Sequence, residues 1–599
     1  MDALSILQAL LSTLFRLAAF VLLRIIPSPL ALRALVALGL AYLSILCIGA
    51  RHTPTEDIIP LGSLVLSLPT NSAALRRANI LINVALALMV VEFVGTPYLD
   101  PAFDVTFSRI GAVTSDSVKV TVRSPSTNDT GLVLWREKME SEPFNSWRNG
   151  PGLVFTSEAD WVTTVRLSGL WPNTSYEYAV ADENRTITSG PFVFRTFPDS
   201  RLTTGSHFRF VASSCLTPNF PYVPFHGRSI KGFDLLAQYL YPVVQPEDPL
   251  PPAEFMLLLG DFVYSDIPTY VGDNKEAYRR LYRRNYQSHS FKAIYERLPI
   301  LHTYDDHEIK NNFIGQANET VEAQDPFINA SDAYTLYNSA ANYDPAQAGQ
   351  HYYSFRYADA AFFVLDTRRY RVLAAGEDET AGTMLGETQL AALHSWLSHA
   401  NGTASFKFIV SSVPFTSLWG LDGQIDTWAG FPQEKASLLA ALHTVPNVII
   451  ISGDRHEFAS IEFNGEEDSM HTVREYSTSP LSMFDVPFVR TLGMQSQETY
   501  PRVVTSEDGN STIEEVPKER VVKYLARGNH KWSSFELDSR DLAKPTLRIE
   551  LVIDGKIRYR EELVGSPVKL QSSNALGAFV TTGIKDVFNR IGINPSRWF

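Results

Sequence analysis

The sequence predicts a layered α/β domain that follows a β-sandwich and a set of N-terminal transmembrane helices. Three observations predict it. The first hundred residues hold three apolar runs of membrane-spanning length. Short alternating strands fill the stretch from about Thr106 to Phe197. Beyond Asp199, near-continuous apolar runs alternate with helical stretches.

The apolar runs are Ala3 to Ile26, Leu30 to Ala50 and Ala78 to Gly95. Each is close to the roughly 20 residues needed to cross a bilayer. A cleaved signal peptide has a single shorter apolar core and fits poorly; the competing reading is three amphipathic helices lying on a membrane or on the protein. Arg76 and Arg77 before the third run suggest that its N-terminal end is cytosolic, which puts everything after Gly95 in the lumen or outside the cell. Seven N-x-S/T sequons support that side: Asn128, Asn173, Asn184, Asn318, Asn329, Asn401 and Asn510 all follow the third run. Arg24 and Arg33, flanking the Pro27/Pro29 turn, pull the other way. The expectation is an integral membrane glycoprotein of the secretory pathway, vacuole or cell surface.

Next come Val118–Val122, Leu132–Trp135, Trp161–Val165 and Tyr176–Val180, which alternate or carry β-branched and aromatic residues. Their spacing suggests a β-sandwich. The stretch Leu170-Trp-Pro-Asn-Thr-Ser-Tyr176-Glu-Tyr178 resembles the tyrosine-corner region of fibronectin type III and related immunoglobulin-like domains. Phe208–Cys215, Phe255–Asp261, Ala361–Asp366, Phe406–Val410 and Asn447–Asp454 then read as strands buried on both faces. Lys275 to Leu298 and Thr388 to Ala400 read as helices laid against those sheets. The chain divides into a membrane region over 1–97, a β-sandwich over 98–200, a catalytic domain over 205–565 and a tail over 566–599.

Composition narrows the function. At 599 residues the chain exceeds one ordinary core, and a net charge of -13 without a basic block excludes a general nucleic-acid binder. An acidic protein that acts on an anionic ester must gather positive charge locally, which bound metal ions do. Of the two cysteines, Cys47 lies in an apolar run, so Cys215 has no disulfide partner in the rest of the chain. On composition alone it reads as a buried core thiol.

Four strand-like segments end in polar or charged residues: Cys215, Asp261, the run Asp305-Asp306-His307-Glu308, and Asp454-Arg455-His456. Open α/β sheets bind ligands beyond the carboxyl ends of their strands, so these groups should converge. Singly, Asp261 reads as a helix cap and Asp454 as a turn residue; jointly, four sets of metal-ligand type leave little room for that. Gly260-Asp-Phe-Val-Tyr264 places a phenol within reach of the ion that Asp261 binds. Gly453-Asp-Arg-His456 presents two ligand types to two adjacent ions. A carboxylate bridging two metals about 3.5–4 Å apart is the recurring device for phosphoester hydrolysis.

With Ala212-Ser-Ser-Cys215, Gly260-Asp-Phe-Val-Tyr264, Tyr304-Asp-Asp-His-Glu-Ile-Lys-Asn-Asn312, Leu365-Asp-Thr-Arg-Arg-Tyr370 and Gly453-Asp-Arg-His456 in order, the chain resembles the PhoD-like alkaline phosphatases. These are a branch of the calcineurin-like metallophosphoesterases related to purple acid phosphatases. The resemblance covers roughly Phe208 to Leu563. It implies a four-layer metallophosphoesterase sandwich and a site with Fe3+ and Ca2+, other divalent metals remaining open. Carried over by motif, Cys215, Tyr264 and His456 bind iron, Asp261 bridges, and Asp306 and Asp454 face calcium. Thiolate, phenolate and imidazole suit iron and an all-oxygen set suits calcium, and in this context Cys215 changes from core thiol to ligand. The superfamily's Gly-Asn-His motif is replaced by Asp305-Asp306-His307. Phe408 to Pro414, where purple acid phosphatases supply a histidine, contains none.

The expected activity is hydrolysis of phosphate mono- or diesters by a metal-bound hydroxide or oxide, on a small molecule or a lipid headgroup. His307 contacts phosphate or protonates the leaving alkoxide, with an orienting role as its alternative. Arg368 or Arg455 pairs with a phosphate oxygen, or is a structural strut. Asn311 and Asn312 hold the Asp306 loop or ligate metal. The competing class is an inactive phosphatase-like receptor or adhesion protein. Segments around Ile314 to Ala330 and Glu466 to Glu519 read as loops beside the site, and Ala575 to Arg590 as a short amphipathic helix.

Overall fold

A computed structural model describes residues 3–48, 60–125, 130–138, 146–202, 205–244, 250–315, 325–373, 382–467, 470–486, 489–505, 511–568 and 570. The sequons at Asn128, Asn318 and Asn510 and the expected helix from Ala575 to Arg590 lie outside these residues.

Among the described residues, three helices are long and apolar enough to cross a membrane: Ala3–Ile25, Pro29–Ile48 and Ala73–Leu99. The last is longer at both ends than its apolar run, and Ser72 caps it by accepting from the Leu75 amide. Arg16, inside the first helix, would be costly in an apolar medium without partners. It has them: Asn83 Oδ1 at 2.7 Å, Asn79 Oδ1 at 3.0 Å, and the Asn79 and Leu64 carbonyls.

The β-rich segment forms two antiparallel sheets. One contains Phe107–Val113, Ser117–Arg123 and Val162–Ser168; the other has the order Arg148–Val154, Thr130–Glu137, Ser175–Ala181, Ile187–Arg195. Alternation sorts the inner faces: Val118, Val120 and Val122 share one core with Tyr176, Tyr178 and Val180. The Trp171 amide donates to the Tyr176 hydroxyl at 2.8 Å. Asp160 ties this segment to the helices Lys275–Tyr286 and Phe327–Tyr337, accepting from Arg123 (2.9 Å), Arg283 (2.7 Å) and Tyr337 (2.5 Å) while 4% exposed.

The larger part contains a six-stranded and a seven-stranded sheet. Successive side chains of a strand face opposite ways, and here both ways are buried. Phe210 and Ala212 of His207–Ser213, Phe255 and Leu257 of Ala253–Leu259, and Phe406 and Phe408 of Phe406–Val410 meet between the two sheets. Val211, Met256 and Leu258 turn instead to helices Lys231–Leu240, Lys275–Tyr286 and Phe327–Tyr337. Ile409, Val448 and Ile450 pack on Gly386–Asn401 and Pro432–Leu442. The result is four layers: helices, sheet, sheet, helices.

Two expectations change. Lys275 to Leu298 is two helices, Lys275–Tyr286 and His289–Tyr295. Between them, the Gln287 amide closes the first by donating to the Arg283 carbonyl, and Ser288 starts the second. The segment from Glu466 to Glu519 is not simply loop. Val473–Thr478 is an interior strand of the seven-stranded sheet, and Thr499–Thr505 pairs with Ser511–Pro517 as a hairpin. Its polar and acidic composition hid a strand buried between two neighbours.

Candidate metal centre

In the six-stranded sheet, His207–Ser213, Ala253–Leu259 and Ile300–Thr303 run parallel; in the other, Ala360–Val364, Phe406–Val410, Val448–Ser452 and Val473–Thr478 do so. Their carboxyl ends open on one edge, and the sequence there supplies Cys215, Asp261, Asp305–His307, Arg368, Ser412 and Asp454–His456. Ligand atoms of Cys215, Asp261 and His456 lie within 4.8 Å of one another, as do those of Asp261, Asp306 and His307, and those of Asp261, Asp305, Asp306 and Asp454. Asp261 belongs to all three groups. The Tyr264 hydroxyl completes the first, donating to Asp261 Oδ2 at 2.9 Å and lying 3.1 Å from His456 Nε2. The Cys215 thiol donates to Asp261 Oδ2 at 3.3 Å.

The backbone is bent to make this possible. Cys215, Asp261, Asp454 and His456 have φ of +61°, +54°, +72° and +58°. Residues with a Cβ avoid this region at a cost of about 1–3 kcal/mol each, and surrounding structure must hold them there. At Gly260, with φ +102°, a Cβ would stand 2.6 Å from Asp305 Cβ, so only glycine lets the two acidic loops meet.

Four carboxylate oxygens here are buried without a hydrogen-bond partner: Asp261 Oδ1, Asp305 Oδ2, Asp306 Oδ1 and Asp454 Oδ2. Burial pushes the Asp261 and Asp454 carboxyls well above their usual range, and neighbouring carboxylates push them further against His307 and Arg455. Asp305 rises to about 6, through burial and Asp306 against Arg368. Burial and the same anions also raise Cys215 and Tyr264, while burial and His307 hold His456 well below its usual value. Such a cluster is unfavourable alone and suited to cations, which replace the missing partners and neutralise the charge. The donor set therefore fits metal ions.

Around it, Glu308 accepts from the backbone amides of Asp261 (3.1 Å), Phe262 (2.5 Å) and Asp305 (2.7 Å), locking two ligand loops together. His307 Nδ1 lies 2.7 Å from Asp266 Oδ1. Burial opposes its protonation, but Asp266, Asp306 and Asp261 more than offset that and raise it well above its usual value. Arg368 is fully buried and turned to carboxylates: it donates to Asp305, lies 3.4 Å from Asp306, and bonds Asp426 at 2.6 and 2.9 Å. Arg455 stands nearer solvent, 2.8 Å from Asp422 and 3.7 Å from Asp454 Oδ2. The Asn311 amide donates to Asp266 and the Asn312 amide to Asp306, so both act here through backbone. In the segment that lacks a histidine, Ser412 donates to Asp305 Oδ1 at 3.0 Å.

Sequence reasoning missed the roles of Glu308, Asp266 and Asp426. Glu308 lay in a motif already singled out, and Asp266 is two residues beyond Tyr264. Asp426 carried no signal, being brought to Arg368 only by the fold.

Comparison with known proteins bears on this geometry. Residues 244–533 match the model of the PhoD-like phosphatase family, and residues 107–196 match that of the purple acid phosphatase N-terminal domain. Over 241 residues the chain is 24% identical to alkaline phosphatase D of Bacillus subtilis (strain 168), covering 33% of this chain and 40% of that protein, well short of the relative's full length. A solved structure of PhoD superposes with a TM-score of 0.52 at 17% identity, covering 80% of this chain and 93% of that one. A purple acid phosphatase from yellow lupin (Lupinus luteus) seeds gives 0.50 at 14% identity, covering 78% and 77%. These likenesses indicate a metallophosphoesterase-like α/β fold.

Proposed function

We propose that this chain, whose residues 244–533 form a PhoD-like phosphatase domain, is a membrane-anchored hydrolase of phosphate mono- or diesters. The carrying observation is Asp261, shared by a mixed thiol, phenol and imidazole set and by an all-carboxylate set, with four orphaned carboxylate oxygens among them.

Cys215, Tyr264 and His456 would hold Fe3+; Asp306 and Asp454, joined by Asp305, would hold Ca2+, with Asp261 between them. Bound there, the ions supply an activated water at neutral pH and offset charge on the phosphoryl oxygens. The chain's own groups do the rest. His307, kept charged by Asp266, holds the proton that the leaving alkoxide needs. Arg455 can turn from exposed Asp422 to a phosphate oxygen. Arg368 acts as a positioning residue that fixes Asp305 and Asp306. The β-sandwich over 98–200 and the catalytic domain over 205–565 then work as one body on a membrane region over 1–97, facing the lumen or the exterior.

Full-length protein in detergent should contain iron and calcium and hydrolyse p-nitrophenyl phosphate or its bis-ester, and Asp261→Asn should lose at least about 100-fold in kcat/KM. Metal-free protein with activity, or full activity in Asp261→Asn, overturns the proposal. The inactive-receptor alternative is disfavoured because every motif residue is present and the ligand atoms converge.

A further inference from the structure

The mixed-ligand half of the centre rests on the membrane helices. One apolar cluster contains Leu22, Leu23, Val90 and Phe93 from those helices together with Cys215, Phe220, Tyr222, Tyr264 and Met483. Phe484 joins its edge, with its ring centroid 4.2 Å from that of His456. The loop that leaves Cys215 runs along the helices: the Tyr222 amide donates to the Leu23 carbonyl at 2.9 Å, and Arg24 donates to the Tyr222 carbonyl at 2.8 Å. The loop after Tyr264 is held as well, Thr269 lying 2.7 Å from the Tyr98 hydroxyl.

The depth of the first loop follows from Glu92. This carboxylate accepts from the Tyr222 hydroxyl at 2.5 Å and from the Phe225 amide at 3.0 Å. It lies about 10 Å along the axis before the helix end at Leu99, taking 1.5 Å per residue. Counting roughly 20 residues of hydrocarbon from Ala78, just past Arg76 and Arg77, carries the apolar zone to about Pro97. The Phe225 backbone, bonded to Glu92, therefore sits about 7–8 Å inside the end of that zone. The Tyr222 hydroxyl and the Phe225 amide together satisfy a carboxylate that water would not reach at that depth. Phe225 itself is 92% exposed and Val223 41%. In water that is an unfavourable projection; at the acyl boundary both side chains gain a partner. Phe225 lies ten positions after Cys215 in the chain.

We infer that the substrate is the phosphoester of a membrane lipid headgroup, taken at the bilayer surface beside the loop from Phe220 to Arg228. The inference rests on the phosphoesterase reading above and names its substrate class. In the reaction, the oxygen of water bonds to phosphorus and one P–O ester bond breaks. The leaving alkoxide takes a proton, so that a phosphodiester and water become a phosphate monoester and an alcohol. Bilayer anchoring and the Phe225 wedge bring the headgroup beside the mixed-ligand half of the site.

The test uses full-length, metal-loaded protein with vesicles of phosphatidylcholine, phosphatidylethanolamine, phosphatidylinositol and phosphatidylglycerol. Released headgroup alcohol or phosphorylated headgroup is followed by mass spectrometry, beside bis-p-nitrophenyl phosphate as the soluble ester. Wild type should release headgroup alcohol or phosphorylated headgroup from at least one of these lipids. Phe225→Asp should lower that release about ten-fold or more while leaving soluble-ester turnover within about two-fold. Hydrolysis of the soluble ester with no release from any vesicle lipid overturns the inference and spares the phosphoesterase reading. Unchanged lipid turnover in Phe225→Asp with intact soluble activity also overturns it. Turnover of neither substrate by metal-loaded protein sinks the underlying reading and the inference with it.

Discussion

Replacing Glu308 tests whether the two acidic loops are held in place by one buried side chain. Its carboxylate is 1% exposed and accepts three backbone amides, at Asp261, Phe262 and Asp305. Burial pushes it up to about 8, while those amides favour the charged form. Glu308→Ala leaves three buried donors unsatisfied. At about 1–3 kcal/mol each, reduced where water enters, the loss is about 3–6 kcal/mol. Glu308→Gln keeps one acceptor oxygen but turns an NH2 group toward an amide, so about 1–3 kcal/mol should be lost. At about 2 °C per kcal/mol the alanine variant should melt about 6–12 °C lower, with glutamine in between. Because Asp261 and Asp305 both depend on this anchor, metal affinity should also fall about 10–100-fold. The assay is the melting midpoint of metal-loaded full-length protein at fixed scan rate, with metal content by plasma mass spectrometry. Unchanged melting and full metal content in Glu308→Ala would refute the reasoning.

Asp160→Asn should destabilise the protein by about 3–5 kcal/mol, because it leaves Arg123 and Arg283 buried without their shared carboxylate. Burial opposes the Asp160 charge, but Tyr337, Arg123 and Arg283 more than offset it and hold the group below its usual range. Its contribution is therefore complete above the unfolded value of about 4 and fades as pH falls through the folded one. Wild type and Asp160→Asn should melt closer together at pH 3 than at pH 7; a constant gap counts against this clamp. Tyr264→Phe should abolish the visible absorbance of iron-loaded protein, and colour retained in that variant excludes a phenolate–iron bond. For a lumenal or exterior catalytic domain, exposed Asn173, Asn184 and Asn401 should carry glycans removable by an endoglycosidase. Asn329 should not, because its amide already donates to the Asp273 carbonyl and to Asp325 within a helix. Mass spectrometry of the glycopeptides decides, and their complete absence from protein made in a secretory host argues for the opposite orientation.

Much of this molecule was visible in one dimension because its determinants are local. A run such as Asn447-Val-Ile-Ile-Ile-Ser-Gly-Asp454, short, β-branched and bounded by Gly and Asp, reads as a strand buried on both faces, and a polar group at its end emerges at the sheet edge. That Asp261, Asp306, Asp454 and His456 converge was legible for that reason, Cys215 and Tyr264 joining them through motif and spacing, and the three apolar helices were legible from a length that matches hydrocarbon thickness. The hidden features depend on meetings between residues far apart in the chain. Arg368 reads as a phosphate ligand with a strut as the stronger alternative, and the fold sets Asp426 and Asp305 against it. Val473–Thr478 looked like loop because its strand character comes from its neighbours in the sheet. The docking of Tyr222 and Phe225 onto Glu92 has no sequence signature either, since the partners lie 130 and 133 residues apart. Strand-end chemistry is written in short motifs. Which groups are satisfied, which are left without a partner, and how near the apolar helices they stand are decided only when the sheets and helices pack.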